Sequence, residues 1–213
     1  MLTIRTFTFN PYQENTYLLY NEEGNALIID PGMYGDKEQH EFLTFIENNQ
    51  LRPNLLLNTH CHIDHVLGNH FIHEQFALLP QFHEGELPIL IAVQNYAPQM
   101  GFRYDTSPIG ETFLNDGDKI TLDQDELEVI LAPGHSPAHI CFYSRAQKFL
   151  IGGDVLFRNS IGRTDLPGGN HQQLLDSIKK RLYTLPDDTI VYPGHGPSTT
   201  IGFEKNSNPF IQG

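Results

Sequence analysis

The sequence predicts an α/β chain, organised as one domain over residues 1–213. Three observations predict this. Short apolar runs of β character alternate with amphipathic segments of helical period. Gly stands directly before a His or Asp where several of those runs end, as in Gly134-His135, Gly153-Asp154 and Gly194-His195. No repeat, and no stretch rich in Ser, Pro or charge, divides a chain long enough to bury one sizeable core.

The elements follow in order. Residues 2–9 alternate through Leu2, Ile4, Phe7 and Phe9 like an edge strand. Residues 16–20 and 26–29 are apolar runs of strand length. A helix is predicted over 38–48, with Phe42, Phe45 and Ile46 inward. Leu55-Leu56-Leu57, after Pro53, reads as a short buried strand. Gly68-Asn69 precedes an amphipathic helix over 70–76. Residues 88–93 are read as helix, although Ile89-Leu90-Ile91 also has the composition of a strand. Further strands are predicted over 119–122, 127–131, 140–143, 148–151 and 189–192. The clearest helix starts from Asn170 as N-cap, with Gln173 in the capping-box position, and runs to about residue 184. Its Leu174, Leu175, Ile178 and Leu182 share a face.

The most informative segment is Thr59-His60-Cys61-His62-Ile63-Asp64-His65. Imidazole nitrogen and carboxylate oxygen suit a first-row metal such as zinc. If the segment begins as a strand end, His60 and His62 point to one side and Cys61 to the other, so Cys61 is not expected to touch a metal. A turn at Ile63 then swings Asp64 and His65 toward a second point nearby. Later strand ends present His135, Asp154 and His195, each thrown out by the Gly before it.

Composition excludes several classes. The net charge is −13, from 13 basic and 26 acidic residues, which argues against nucleic-acid binding. The acidity itself reads as solubility rather than as a partner's footprint. No apolar run is long enough to span a membrane, and the first residues lack the pattern of a signal peptide. Cys61 and Cys141 are too few for a disulfide framework, so a reducing, cytoplasmic setting is expected, with Cys141 a small core residue.

The motifs THCHIDH, Gly134-His135, Gly153-Asp154 and Gly194-His195 resemble the signature of the metallo-β-lactamase superfamily. The stretch from Ser160 through Gly162-Arg163-Thr164-Asp165 to Asn170 resembles its small single-domain, glyoxalase II-like hydrolases. So does the tail from Pro193-Gly194-His195 through Thr199-Thr200-Ile201-Gly202 and Glu204-Lys205 to Phe210. The resemblance runs from Asp30-Pro31-Gly32 to Phe210. It implies a four-layer αββα sandwich. It also implies two divalent metals, zinc first, with iron or manganese as the other candidates. His60, His62 and His135 would hold one, Asp64, His65 and His195 the other, and Asp154 would bridge them. Asp30 would orient a ligand through a hydrogen bond.

The implied reaction is hydrolysis of a small-molecule thioester, such as S-lactoylglutathione or another S-acylglutathione. The attacking group would be a metal-bridging hydroxide, with Asp64 at most a proton acceptor besides its role as ligand. The chain ends at Gly213, soon after His195, so the C-terminal helical domain with which two-domain relatives bind glutathione is expected to be absent. The alternative is a persulfide dioxygenase with one iron on His60, His135 and Asp154. A non-enzymatic metal module and a β-lactamase are weaker readings. Arg163 either contacts a substrate carboxylate or pairs with Asp165. His139 either supports the site by a hydrogen bond or is structural. His40, His73, His83 and His171 are expected to be exposed, and His70 to lie on a helix surface.

Overall fold

A computed structural model describes residues 1–213. The first compact unit comprises Met1–Phe82, Leu87–Phe113 and Leu122–Asp125. Its elements are β1 (Thr3–Phe9), β2 (Glu14–Tyr20), β3 (Asn25–Ile29), α1 (Asp36–Asn48), β4 (Arg52–Leu57), α2 (Ile63–Val66), α3 (Asn69–Phe76), β5 (Pro80–Gln81) and α4 (Leu87–Tyr96). The strands form one sheet in the order β1-β2-β3-β4-β5. Antiparallel pairing joins β1 to β2 and β2 to β3, and parallel pairing joins β3, β4 and β5. Phe42 and Ile46 of α1 and Ile72 of α3 pack on Phe7, Leu18, Ile28 and Leu56. A second cluster joins α2 to α4 through Ile63, Val66, Leu90 and Val93. The segment left between strand and helix, 88–93, is thus helix, held by burial of Leu90 and Val93.

β4 starts at Arg52, earlier than the apolar run alone suggested. Pro53 opposes Ala26, and the register slips there, with Leu27 next opposing Leu55. A proline has no ladder donor, so a bulge absorbs it at the strand's beginning.

The second unit comprises His83–Glu86, Leu114–Thr121 and Glu126–Gly213. In chain order its elements are β6 (Lys119–Leu122), β7 (Asp125–Leu131), β8 (Ile140–Ser144), β9 (Phe149–Gly153), β10 (Leu156–Phe157), β11 (Ser160–Ile161), α5 (His171–Ser177), β12 (Ile190–Pro193), β13 (Thr199–Thr200) and α6 (Ile201–Ser207). The main sheet runs β13-β12-β9-β8-β7-β6, and β10 and β11 form a hairpin. β7 and β9 both pair antiparallel with β8, and β12 pairs parallel with β9. The three strands that end in a candidate ligand therefore point the same way.

Asn170 caps α5, its side chain accepting from Gln173 N–H. The helix does not stay α to residue 184. It passes into a π turn over Ile178–Leu182, where Tyr183 N–H reaches back to Ile178 O. The wider turn keeps Ile178 and Leu182 on the core and also buries Tyr183, whose hydroxyl donates to Ile211 O.

The tail forms α6, which periodicity did not reveal. Its buried Glu204 accepts from Asn159 N–H, Thr199 Oγ1 and Asn208 Nδ2, and Asn208 Nδ2 also donates to Ser160 O. The tail thereby ties down the β10–β11 hairpin. Glu204→Ala is expected to strand several of these donors and to cost roughly 3 kcal/mol. Urea unfolding measures this, and a loss below about 1 kcal/mol would contradict the assigned role. No helix is long and apolar enough to cross a membrane.

Candidate metal centre

In the first unit, β4 ends at Leu57 and Asn58-Thr59 leads into the ligand segment. Asp30, one residue past β3, sits in the left-handed region at φ 50° and turns its carboxylate onto this loop. Asp30 Oδ1 accepts from Thr59 N–H at 2.7 Å, and Oδ2 accepts from Thr59 Oγ1 at 2.6 Å. Asp30 Oδ2 is also 3.0 Å from His65 Nδ1, and Thr59 Oγ1 is 3.0 Å from His60 Nδ1.

These contacts set the tautomers. An ionised carboxylate only accepts, so the Thr59 hydroxyl must give its proton to Asp30 and can only accept from His60 Nδ1–H. His65 Nδ1–H likewise donates to Asp30. Both imidazoles then carry a lone pair on Nε2, as a metal ligand must. Ligand atoms of Asp30, His60 and His65 lie within 4.8 Å of one another. The His60 ring centroid is 4.8 Å from that of His62 and 4.1 Å from that of His65. Asp64 Oδ2 stands 3.6 Å from His65 Nε2. Asp64 and His65 are carried by α2, the helical turn found where a bend at Ile63 was expected.

In the second unit, His135 follows β7, Asp154 follows β9 and His195 follows β12. Gly194 N–H bonds Gly153 O at 2.8 Å, so the neighbouring strands deliver Asp154 and His195 from one end. Asp154 Oδ2 lies 3.5 Å from His135 Nε2 and 3.6 Å from His195 Nε2. His135 Nδ1 donates to Arg163 O at 2.8 Å, which again leaves the lone pair on Nε2. His139 Nε2 accepts from Asp154 N–H at 3.0 Å and fixes the backbone from which that carboxylate springs. Glycine is required at two points. Gly134 has φ 133°, and a Cβ there would meet the backbone of Leu174. A Cβ on Gly162 would strike Asp154 O and press on His135 Cβ.

The side chain of Arg163 is exposed and holds Asp165 through two bonds of 2.7 and 2.8 Å. This arginine lowers the Asp165 carboxyl to about 2. Its carbonyl, by contrast, orients His135, a backbone role without a side-chain signal. His40 and His171 are exposed, whereas His73 and His83 are half-buried, not exposed as expected. His73 Nδ1 bonds Leu78 O, and His83 Nδ1 accepts from Gly85 N–H. His70 is half-buried on α3, bonded to Thr106 O. Cys61 and Cys141 are buried.

Sequence reasoning missed Thr59, Asn10 and Glu14. Glu14 is fully buried, with Oε1 3.9 Å from His65 Nδ1 and Oε2 accepting from Thr16 Oγ1. Burial raises its carboxyl well above the ordinary value, with His65 opposing that rise. Nothing in the alternating strand pattern marks it as different from a surface glutamate.

Imidazoles presenting Nε2, with carboxylates among them, fit first-row metal ions. An α/β frame with such clusters at its strand ends defines the class of a metal-dependent enzyme. Residues 9–195 match the family model of the metallo-β-lactamase superfamily. The chain belongs to that superfamily of metallo-hydrolases and has its fold, with two β-sheets flanked by helices. It is 35% identical to hydroxyacylglutathione hydrolase GloC of Haemophilus influenzae, over 99% of this chain and 98% of that protein. Among solved structures, BLEG-1, a B3 metallo-β-lactamase, matches at TM-score 0.90 and 36% identity, covering 99% of this chain and all 100% of that one. TTHA1623 in a di-iron-bound form matches at TM-score 0.86 and 37% identity, covering 97% and 100%.

Proposed function

We propose that the chain is a two-metal thioester hydrolase, acting on S-acylglutathiones or related small thioesters in the cytoplasm. The observation that carries the reading is the pairing of Nε2-presenting histidines with a carboxylate oxygen, Asp154 Oδ2, that faces both His135 and His195. His60, His62 and His135 are assigned to one ion, Asp64, His65 and His195 to the other, and Asp154 to both. The similarity to GloC supports the substrate class. Zinc is the first candidate, and the di-iron-bound relative supports iron as the other.

When bound, such ions lower the pKa of a coordinated water and polarise a carbonyl. The protein's own residues hold the ligands rigidly and place the imidazole proton on Nδ1, leaving Nε2 for the metal. Asp30 and Thr59 do this for His60 and His65, and the Arg163 carbonyl does it for His135. Asp64 is half-buried, so its carboxylate is open to accept a proton. A substrate carboxylate would compete with Asp165 for Arg163.

The dioxygenase reading with iron on His60, His135 and Asp154 leaves His62, Asp64, His65 and His195 without a purpose. The two separate experimentally. Thioester hydrolysis consumes water, whereas persulfide oxidation consumes O₂ and needs a redox-active metal, which zinc is not. An oxygen electrode run beside a thiol-release assay on one preparation decides between them. S-lactoylglutathione should be cleaved by the zinc-loaded protein in the absence of oxygen, with no O₂ uptake on glutathione persulfide. Rapid persulfide-dependent uptake without thioester cleavage would reverse the assignment. A chromogenic cephalosporin in the same assay tests lactam hydrolysis, the reaction for which the B3 metallo-β-lactamase BLEG-1 is named. Faster turnover of it than of any thioester would replace the proposed substrate class.

A further inference from the structure

We propose that Asn10 is the positioning residue for Asp64, and through it for one metal only; the inference rests on the two-metal reading. Asn10 lies in the turn after β1, at φ 52°, and is nearly buried. Its Nδ2 donates to Gly32 O and to Asp64 O, both at 3.0 Å. Its Oδ1 accepts from Tyr12 N–H at 2.9 Å, and its own N–H is held by the Glu38 carboxylate at 3.0 Å. The side chain is thus fixed at each end and clamps the Asp64 carbonyl to the loop after β3.

The Asp64 carbonyl needs such a donor because α2 is one turn long. A continuing helix would offer it the N–H of Gly68, but Gly68 N–H is turned to Pro31 O at 2.7 Å. The contact is close on every side. A Cβ on Gly32 would fall on Glu14 Oε2, Asp64 O and Asn10 Nδ2. Gly32 N–H donates to Thr16 Oγ1, which donates in turn to Glu14 Oε2. Polar groups from β2, the loop after β3 and α2 therefore meet at Asn10.

The other ligands of the first unit are held by different means. His65 is oriented by Asp30, and His60 by Thr59. Loss of Asn10 frees the Asp64 turn while those imidazoles keep their partners. The consequence is selective: the ion assigned to Asp64 weakens and the ion assigned to His60 and His62 does not.

The test titrates zinc into chelator-stripped protein against a competing chromophoric chelator that resolves two binding steps. Wild type should bind two ions. In Asn10→Ala one step should weaken at least about tenfold, the size typical for loss of an outer hydrogen-bond partner, with the other within about threefold. Asn10→Asp, which sets an acceptor against two carbonyl oxygens, should show the same split. Asn21→Ala removes a buried turn residue of the same unit that bonds Asp123 and Asn25 and touches neither Asn10 nor Asp64, so it should lower the melting temperature without the split. Equal weakening of both steps, no weakening, or the same split in Asn21→Ala would each overturn the proposal. Wild type that binds a single ion would fail the two-metal reading itself, and the inference with it. Two ions in wild type and no split in the Asn10 variants would fail the inference alone.

Discussion

Asp154→Ala protein is expected to lose metal from both proposed positions together. The reason is geometric. One carboxylate oxygen stands 3.5 Å from His135 Nε2 and 3.6 Å from His195 Nε2, and these histidines are assigned to different ions. Two bound cations would repel each other, and the Asp154 carboxylate would supply negative charge to offset this. Its loss should exceed the roughly 10–100-fold that removal of an outer hydrogen-bond partner costs in affinity or activity. Metal content per chain should fall below one, and thiol release from S-lactoylglutathione should drop by more than about 100-fold. Asp154→Asn keeps the shape and one acceptor oxygen, so it should fall between. Full metal content with near-normal hydrolysis in the alanine variant would remove Asp154 from the bridge. His139→Ala offers a check on the backbone. His139 Nε2 accepts the Asp154 N–H, so its loss should loosen the same carboxylate by a smaller factor.

Much of this arrangement was legible in the sequence, for a physical reason. Metal coordination demands particular residue types, and a Gly before each later proposed ligand lets the backbone turn at the strand end. His60, His135, Asp154 and His195 do lie just past strands. Strongly apolar runs such as Leu150-Ile151 and Leu56-Leu57 also declared themselves, because those residues are fully buried. What stayed hidden belongs to contacts between distant segments. Asn10 and Glu14 look like ordinary polar residues of a hairpin, and only the fold brings them to α2. The Arg163 carbonyl that orients His135 has no side-chain signature; a sequence displays only the guanidinium. The tail helix escaped because α6 is short and starts from Thr200, whose side chain accepts from Phe203 N–H. The π turn after Ser177 follows from burying Tyr183, a tertiary demand that periodicity does not carry.

The Asp30→Asn variant is expected to fold and yet bind metal poorly through both His60 and His65. Asparagine tolerates the left-handed backbone nearly as well as aspartate, so φ 50° at this position adds little strain. The substitution therefore isolates the hydrogen bonds. The hydrogen bonds of the Asp30 carboxylate are all to donors: Thr59 N–H, Thr59 Oγ1–H and His65 Nδ1–H. An asparagine can keep its oxygen on Thr59 N–H only by placing NH₂ where Oδ2 was. That NH₂ donates to Thr59 Oγ1 and toward His65 Nδ1. The Thr59 hydroxyl proton then turns to His60 Nδ1. Both imidazoles are driven to carry their proton on Nε2, the nitrogen a metal needs bare. The opposite flip leaves Thr59 N–H facing an amide donor, a buried conflict of about 1–3 kcal/mol. The first orientation avoids that conflict, and in it a single atom change reaches two proposed ligands, so zinc affinity should fall by at least about 100-fold, beyond the usual loss of one outer partner. Nitrogen chemical shifts of the histidine rings in the metal-free protein report the tautomer directly. Wild type should show Nδ1–H at His60 and His65, and Asp30→Asn should show Nε2–H. Unchanged ring shifts together with unchanged zinc affinity would mean that Asp30 only braces the loop.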